Sequence, residues 1–240
     1  MTKSSIKQAR CECNKWDRID RSPDGTGLSY HYYQCSECYR VDYPMSEIKK
    51  LMEYAEKHQF MFVTDWILAW LYSGDGVPVS GVTVLQKQMF IIFKEFAVQN
   101  NIPSENPGFR AYKYGPYTER IDGAIDSLTS LGLIVSIGRM NTVKETFYLT
   151  AKGMNEGKVA FNKLTSEQQS KLRSMRRDLQ QFNTQGIMTY VYKNYPEYTN
   201  KSIVFERTLH RKRYPNENLP YFFENPSDPL KVSSAGGDDE

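Results

Sequence analysis

Residues 109–153 read FRAYKYGPYTERIDGAIDSLTSLGLIVSIGRMNTVKETFYLTAKG, and this stretch decides the fold prediction. It opens with aromatic and basic residues that lead into Gly115-Pro116, a pair typical of the start of a helix. Apolar residues at helical spacing continue from there to Gly132, which is typical of a helix end. Residues 133–137 and 145–149 then alternate like strands and flank a polar turn. The stretch therefore predicts a helix followed by a two-stranded wing.

The residues before this stretch predict two further helices of the same domain. Residues 45–59 carry apolar side chains on one face, including Met52, and charged side chains opposite. A short apolar segment with Trp66 and Trp70 follows, and we expect both rings in the core. Residues 84–99 are apolar nearly all round, which predicts the buried centre of the domain. Three helices followed by a wing predict a winged helix-turn-helix, in a fold that is mainly α with small β.

Charge divides the rest of the chain. Residues 158–215 contain twelve lysines and arginines and four acidic residues, a net charge of +8, although the whole chain carries only +3. Residues 216–240 contain six acidic residues and one lysine, which predicts a disordered acidic tail. We therefore predict a zinc-ribbon-like module (1–43), a linker helix (44–61), a winged-helix domain (62–157), a basic helical extension (158–215) and the tail (216–240).

All four cysteines lie near the start of the chain, at Cys11, Cys13, Cys35 and Cys38. Two close pairs joined by a hairpin would present four thiolates in the tetrahedral arrangement of a structural zinc ion. Two disulfides are the alternative, and they are disfavoured because residues 1–10 are polar and unlike a secretion signal. His31 is a reserve ligand. Four thiolates leave no open coordination position, so we expect a structural metal rather than a catalytic one.

Composition narrows the class of protein. The chain has 240 residues, of which 40% are hydrophobic and 25% are charged, as in ordinary globular proteins. Its longest apolar stretch, residues 60–72, is too short to span a bilayer. We therefore predict a cytoplasmic protein without a membrane partner.

Several short motifs between residues 82 and 202 resemble a group of prokaryotic winged-helix proteins. They are Leu85-Gln86-Lys87, Tyr112-Lys113-Tyr114-Gly115-Pro116-Tyr117, Leu131-Gly132-Leu133-Ile134, Tyr148-Leu149-Thr150-Ala151-Lys152-Gly153 and Tyr190-Val191-Tyr192-Lys193-Asn194-Tyr195-Pro196-Glu197-Tyr198. In their order they resemble the YwgA-type proteins and, more loosely, the Panacea-type antitoxin domain. The resemblance implies a winged helix in a prokaryotic, archaeal or phage setting. These groups include protein-binding antitoxins.

The basic residues suggest a nucleic-acid partner, most simply DNA contacted through its backbone by a regulatory protein. The candidate contacts are Arg173, Arg176, Arg177, Arg211, Lys212 and Arg213 in the extension, Arg139 and Lys144 in the wing, and Arg120 in the third helix. The third helix itself is acidic, which disfavours base reading.

A non-enzymatic protein-interaction module, antitoxin-like or a defence-related adaptor, is the alternative. Seventeen tyrosines and the acidic third helix suit a protein partner. We predict no catalytic residues and no small-molecule substrate, because the three histidines are far apart and no phosphate-binding glycine loop occurs.

Overall fold

The computed structural model describes residues 15–22, 27–139 and 145–204, and within these ranges the fold combines helices with small antiparallel sheets. The helices are α1 (Met45–Ala55), α2 (Val63–Ser73), α3 (Val82–Ile91), α4 (Glu119–Ser130), α5 (Ala151–Asn162), α6 (Ser166–Leu179) and α7 (Thr184–Asn194). The strands are β1 (Trp16–Arg21), β2 (Tyr30–Cys35), β3 (Val41–Asp42), β4 (Val79–Ser80), β5 (Arg110–Tyr112), β6 (Gly115–Tyr117), β7 (Ile134–Ile137) and β8 (Thr146–Leu149). A π-helical segment, Ile92–Ala97, continues α3, and a 3-10 turn, Pro196–Tyr198, follows α7.

Strands β1, β2 and β3 form an antiparallel N-terminal sheet with its own small core. Trp16 pairs with Cys35 and Arg21 with Tyr30, which confirms the predicted hairpin, while the predicted turn at 23–26 lies outside the described residues. Helix α1 covers this sheet and ends at Ala55, earlier than predicted. Met52 is 56% exposed, contrary to the prediction, because Leu51 supplies the buried contact on that turn.

Helices α2 and α3 form the centre of the main core, as predicted. Trp66 and Trp70 are both fully buried. Each indole N–H has a partner: Trp66 donates to the Ser104 hydroxyl (3.2 Å) and Trp70 to the Gln88 side-chain oxygen (2.8 Å). Because a buried indole N–H without a partner would cost free energy, these bonds hold both rings in defined orientations.

The predicted two-stranded wing is present as β7 and β8, and β4 adds a third strand to it. The sheet order is β4-β8-β7, and Ile134 pairs with Leu149 while Val79 pairs with Phe147. Strand β4 comes between α2 and α3 in the chain, so this sheet joins the middle of the domain to its end. Residues 140–144, at the tip of the wing, lie outside the described residues.

The predicted helix start at Gly115-Pro116 is wrong. Both residues belong to strand β6, which pairs with β5, and α4 begins at Glu119 after Thr118, whose hydroxyl accepts from the Arg120 backbone N–H. Gly115 has a φ of +83°, and a Cβ there would lie 2.6 Å from Tyr192 Cε1. The glycine is therefore needed for a left-handed turn and a close approach, rather than for a helix cap.

The C-terminal helices share the main core. Leu172, Met175 and Leu179 are buried together with α2 and α3, which confirms the apolar stripe predicted for α6. Helix α5 spans residues 157 and 158, so one core continues across the predicted start of the extension. The predicted basic cluster at 208–214 and the acidic tail lie outside the described residues.

Candidate functional site

The first turn of α4, which would read DNA in a helix-turn-helix protein, is covered by the N-terminal sheet. Arg120 forms an ion pair with Glu105, and its guanidinium lies 5.6 Å from the centre of the Tyr43 ring. Burial lowers the pKa of Arg120. On the same turn, Glu119 receives the guanidinium groups of Arg40 and Arg110. The only cation of α4 is therefore used inside the protein.

Close backbone contact holds the sheet in this position. Gly108 has a φ of +68°, and a Cβ on it would lie 2.5 Å from a Val41 methyl carbon and 2.8 Å from the Tyr39 carbonyl oxygen. Next to it, Asn106 donates its backbone N–H to the Tyr43 hydroxyl (2.8 Å) and its side-chain amide to the Tyr32 hydroxyl (2.9 Å). These contacts fasten the sheet to residues 106–108.

The exposed face of α4 carries no positive charge. Its exposed residues are Gly123, Asp126, Ser127, Thr129 and Ser130. Helices that read base edges present their N-terminal residues to the major groove and rely on Arg, Lys, Asn or Gln. Helix α4 offers none of these side chains to solvent, so it is poorly suited to base reading.

Two of the candidate arginines in α6 bind the loop between α2 and β4. Arg176 is 1% exposed, donates to the carbonyl oxygens of Val77 (2.8 Å) and Pro78 (3.2 Å), and lies over the Trp70 ring. Burial lowers its pKa to about 10. Arg173 pairs with Asp75 at 2.6 Å. Both side chains stabilise the fold, and Arg176 is inaccessible to a phosphate.

The other candidate nucleic-acid residues are exposed or lie outside the described ranges. Arg177 is exposed and forms no ion pair within those ranges, and Arg139 is exposed just after β7. The residues outside the described ranges are Lys144, Arg211, Lys212 and Arg213.

The two described cysteines lie in a tight turn at the end of β2. Cys35 is buried and Cys38 is partly exposed. The Tyr39 backbone N–H donates to the Cys35 carbonyl oxygen at 2.8 Å, and Tyr39 has a φ of 60°, so the chain folds back directly after Cys38. Such a turn brings two thiol groups to one side of the chain, as a shared metal ion requires.

The start of β1 lies against this turn. The Ser36 backbone N–H donates to the Lys15 carbonyl oxygen at 2.9 Å, and Lys15 also pairs with Glu37. Cys11 and Cys13 lie outside the described residues, but Cys13 is two residues before Lys15, so chain length keeps their Cα atoms within about 7 Å. The described residues therefore fit a four-thiolate zinc site, although they alone contain no cluster of three ligating side chains.

His31, the reserve ligand, is directed to another partner. Its Nδ1 atom lies 3.4 Å from a carboxylate oxygen of Glu47 on α1. It also precedes Cys35 by four residues along β2, a separation of about 13 Å at the usual rise of a strand. Both facts speak against His31 as a ligand of a metal held by Cys35.

Two buried charged residues were missed by the sequence analysis. Lys87 donates to the Pro116 carbonyl oxygen at 2.7 Å, and burial lowers its pKa to about 7. Glu95 accepts from the hydroxyl groups of Tyr190 (2.9 Å) and Tyr195 (2.7 Å), and burial raises its pKa to about 7. The available signal was a charged residue on a helix that is apolar nearly all round.

The residues that carry the family resemblance meet around these two groups. Lys87 binds the strand that contains Gly115-Pro116, and Tyr192 packs on Gly115. Glu95 joins α3 to Tyr190 and Tyr195 of the last motif. The motifs therefore mark contacts that hold α3, β6 and α7 together.

No helix in the described ranges has the length and apolar character needed to cross a membrane. Comparison with protein-family models gives no match, and comparison with curated protein sequences gives none either. The resemblance to the YwgA-type and Panacea-type proteins therefore stays a prediction, and the functional argument rests on the geometry of this chain.

Proposed function

We propose that this protein is a non-enzymatic, zinc-containing winged-helix module that binds another protein. The winged-helix assignment is supported by the order α2, β4, α3, α4, β7, β8 and by the sheet order β4-β8-β7, in which the last hairpin would be the wing. The zinc is supported by the turn at Cys35 and Cys38 and its attachment to Lys15. Four reduced thiols are also the reason to place the protein in the cytoplasm.

The observation that carries this proposal is the packing of the N-terminal sheet on the first turn of α4. A helix that reads DNA needs that turn free. Here Arg120 is bound to Glu105 and Tyr43, and Glu119 is bound by Arg40. The winged helix would thus serve as a scaffold whose partner contacts another surface.

Strand β7 is the surface we assign to the partner. It is an edge strand within the described part of the sheet, and it pairs there only with β8. Val135 is 41% exposed and Ile137 is 59% exposed, and both lie on the same side of the strand. Leu131, just before β7, is 59% exposed. An exposed edge with apolar side chains can take a further strand from a partner protein.

The test combines substitutions on β7 with a cross-linking readout. A photoreactive residue replacing Ile137 should give one protein adduct in cells that express the protein, and Val135→Lys should abolish that adduct. Val159→Lys, on a residue 58% exposed on α5, is the matched control and should leave the adduct unchanged. No adduct from β7, or loss of the adduct with the α5 variant as well, would contradict this assignment.

The second candidate function is DNA-associated regulation through backbone contacts. It is favoured by the exposure of Arg177 and Arg139 and by the basic residues Arg211, Lys212 and Arg213 in the sequence. A salt titration with double-stranded DNA, single-stranded DNA and RNA tests it, because phosphate contacts make affinity fall steeply with salt. We expect no such binding. Steep binding that is lost when residues 211–213 become glutamates would establish this second candidate instead.

A further inference from the structure

A cleft of about 1040 Å³ lies between the N-terminal sheet and the main core. Its walls come from β1 and β2 on one side, and from the π-helical segment and residues 101–109 on the other. Small-molecule sites in proteins measure about 300–1,000 Å³, so this cleft is large enough for a mononucleotide or dinucleotide. It shares no lining residue with β7, and its function is independent of the proposed protein partner.

The charges lining the cleft leave two cations without a carboxylate. Asp20 is bound by the Arg18 guanidinium at 2.9 Å, and Glu105 is bound by Arg120. In contrast, Arg21 contacts the Tyr32 hydroxyl at 3.2 Å and forms no ion pair in the described part of the chain. The same is true of Lys94, whose ammonium lies 5.4 Å from the centre of the Tyr198 ring. The cleft therefore attracts an anion that carries one or two negative charges.

Aromatic rings stand beside both cations. The Arg21 guanidinium lies 5.9 Å from the centre of the Tyr32 ring, and Phe93 and Phe109 also line the cleft. Arginine and lysine next to aromatic faces can bind a phosphate while a planar base stacks on a ring. Two cations suit a short ligand, whereas a long nucleic-acid strand would need many phosphate contacts.

The π-helical segment gives an independent reason to expect a ligand here. Lys94 is exposed, while Ile92, Phe93, Glu95, Phe96 and Ala97 around it are all buried. The wider π-helical turn thus presents a single lysine to the cleft. Such turns are rare and occur often at functional sites.

We propose that this cleft binds a nucleoside phosphate, with the phosphate held by Arg21 and Lys94 and the base against Tyr198. A free nucleotide and the 5′-phosphate end of an oligonucleotide share this chemistry. Titrations of the full-length, zinc-loaded protein with AMP, GMP, CMP and UMP test the first source. Trinucleotides with and without a 5′-phosphate test the second source.

Single substitutions locate the binding site. Arg21→Gln and Lys94→Gln should each weaken nucleotide binding about tenfold, since each removes a charged hydrogen bond. Both residues are exposed, so folding should be unaffected. Arg177→Gln and Lys158→Gln, which also remove exposed cations, are the matched controls and should leave the affinity unchanged. Tyr198→Leu should reduce the difference between nucleotide and inorganic phosphate.

Three results would overturn the proposal. One is equal nucleotide affinity in the wild-type protein and in the double variant of Arg21 and Lys94. Another is the absence of binding by any nucleotide or 5′-phosphorylated trinucleotide. The third is tighter binding of the acidic tripeptide Glu-Tyr-Glu than of every nucleotide, which would identify the cleft as a peptide site.

Discussion

Glu95 should make the protein less stable as the pH rises from mildly acidic to mildly basic. Burial is the main cause that raises its pKa from 4.5 to about 7, while the hydroxyl groups of Tyr195 and Tyr190 partly offset that rise. The folded protein therefore binds the Glu95 proton more tightly than the unfolded chain does. The stability that this proton contributes is fully present below pH 4.5 and is lost as the pH rises through 7.

The size of the effect follows from the two pKa values. Each tenfold difference in proton affinity corresponds to about 1.4 kcal/mol, so the full contribution of Glu95 is about 3 kcal/mol. Between about pH 5.5 and about pH 8.5, the free energy of unfolding should fall by about 2 kcal/mol because of this group. Glu95→Gln removes the titrating carboxyl and keeps an oxygen that can accept from a tyrosine hydroxyl.

Urea unfolding of the zinc-loaded protein, followed by tryptophan fluorescence, measures this dependence because Trp66 and Trp70 are buried. The free energy of unfolding of Glu95→Gln should depend less on pH than that of the wild-type protein. Glu156→Gln, on an exposed residue of α5, is the matched control and should behave like the wild type. The same pH dependence in wild type and Glu95→Gln would refute the reasoning.

Three further predictions concern the other buried contacts. Lys87→Met should flatten the pH dependence of unfolding between pH 7 and 10.5, where the wild type should gain stability with pH because its folded state binds the Lys87 proton more weakly. Gly108→Ala should destabilise the protein by about 2 kcal/mol or more in urea unfolding, since φ is +68° and the added Cβ meets Val41; full retention of stability would contradict this. Cys35→Ser should lower the zinc content measured by mass spectrometry below one ion per chain, and Ser36→Ala should leave that content unchanged.

Hydrophobic periodicity predicted the helices and the wing, because burial at a regular spacing is a local signal. It failed at Gly115-Pro116, where the same two residues suit a helix start and a turn between strands. The choice depends on Lys87 and Tyr192, which contact this turn from α3 and α7. Neither contact is visible in the residues near the glycine.

The charged residues show a second limit of sequence reasoning. Arg173 and Arg176 lie in a basic run that indicates a phosphate-binding face, yet one pairs with Asp75 and the other binds the Val77 carbonyl oxygen. Their partners are about a hundred residues away in the chain. A count of charges in a segment therefore overestimates the charge that remains available to a ligand.

The N-terminal sheet connects the two surfaces to which we assign function. Tyr43 covers Arg120 and takes α4 away from DNA, while Tyr32, on the neighbouring strand, binds Arg21 beside the cleft. Asn106 donates to both tyrosine hydroxyls and itself lines the cleft. Any change that moves the sheet away from residues 106–108 must therefore open the first turn of α4 and remove one wall of the cleft together. Metal binding at Cys35, at the end of the same β2 strand, would stabilise both features through one sheet.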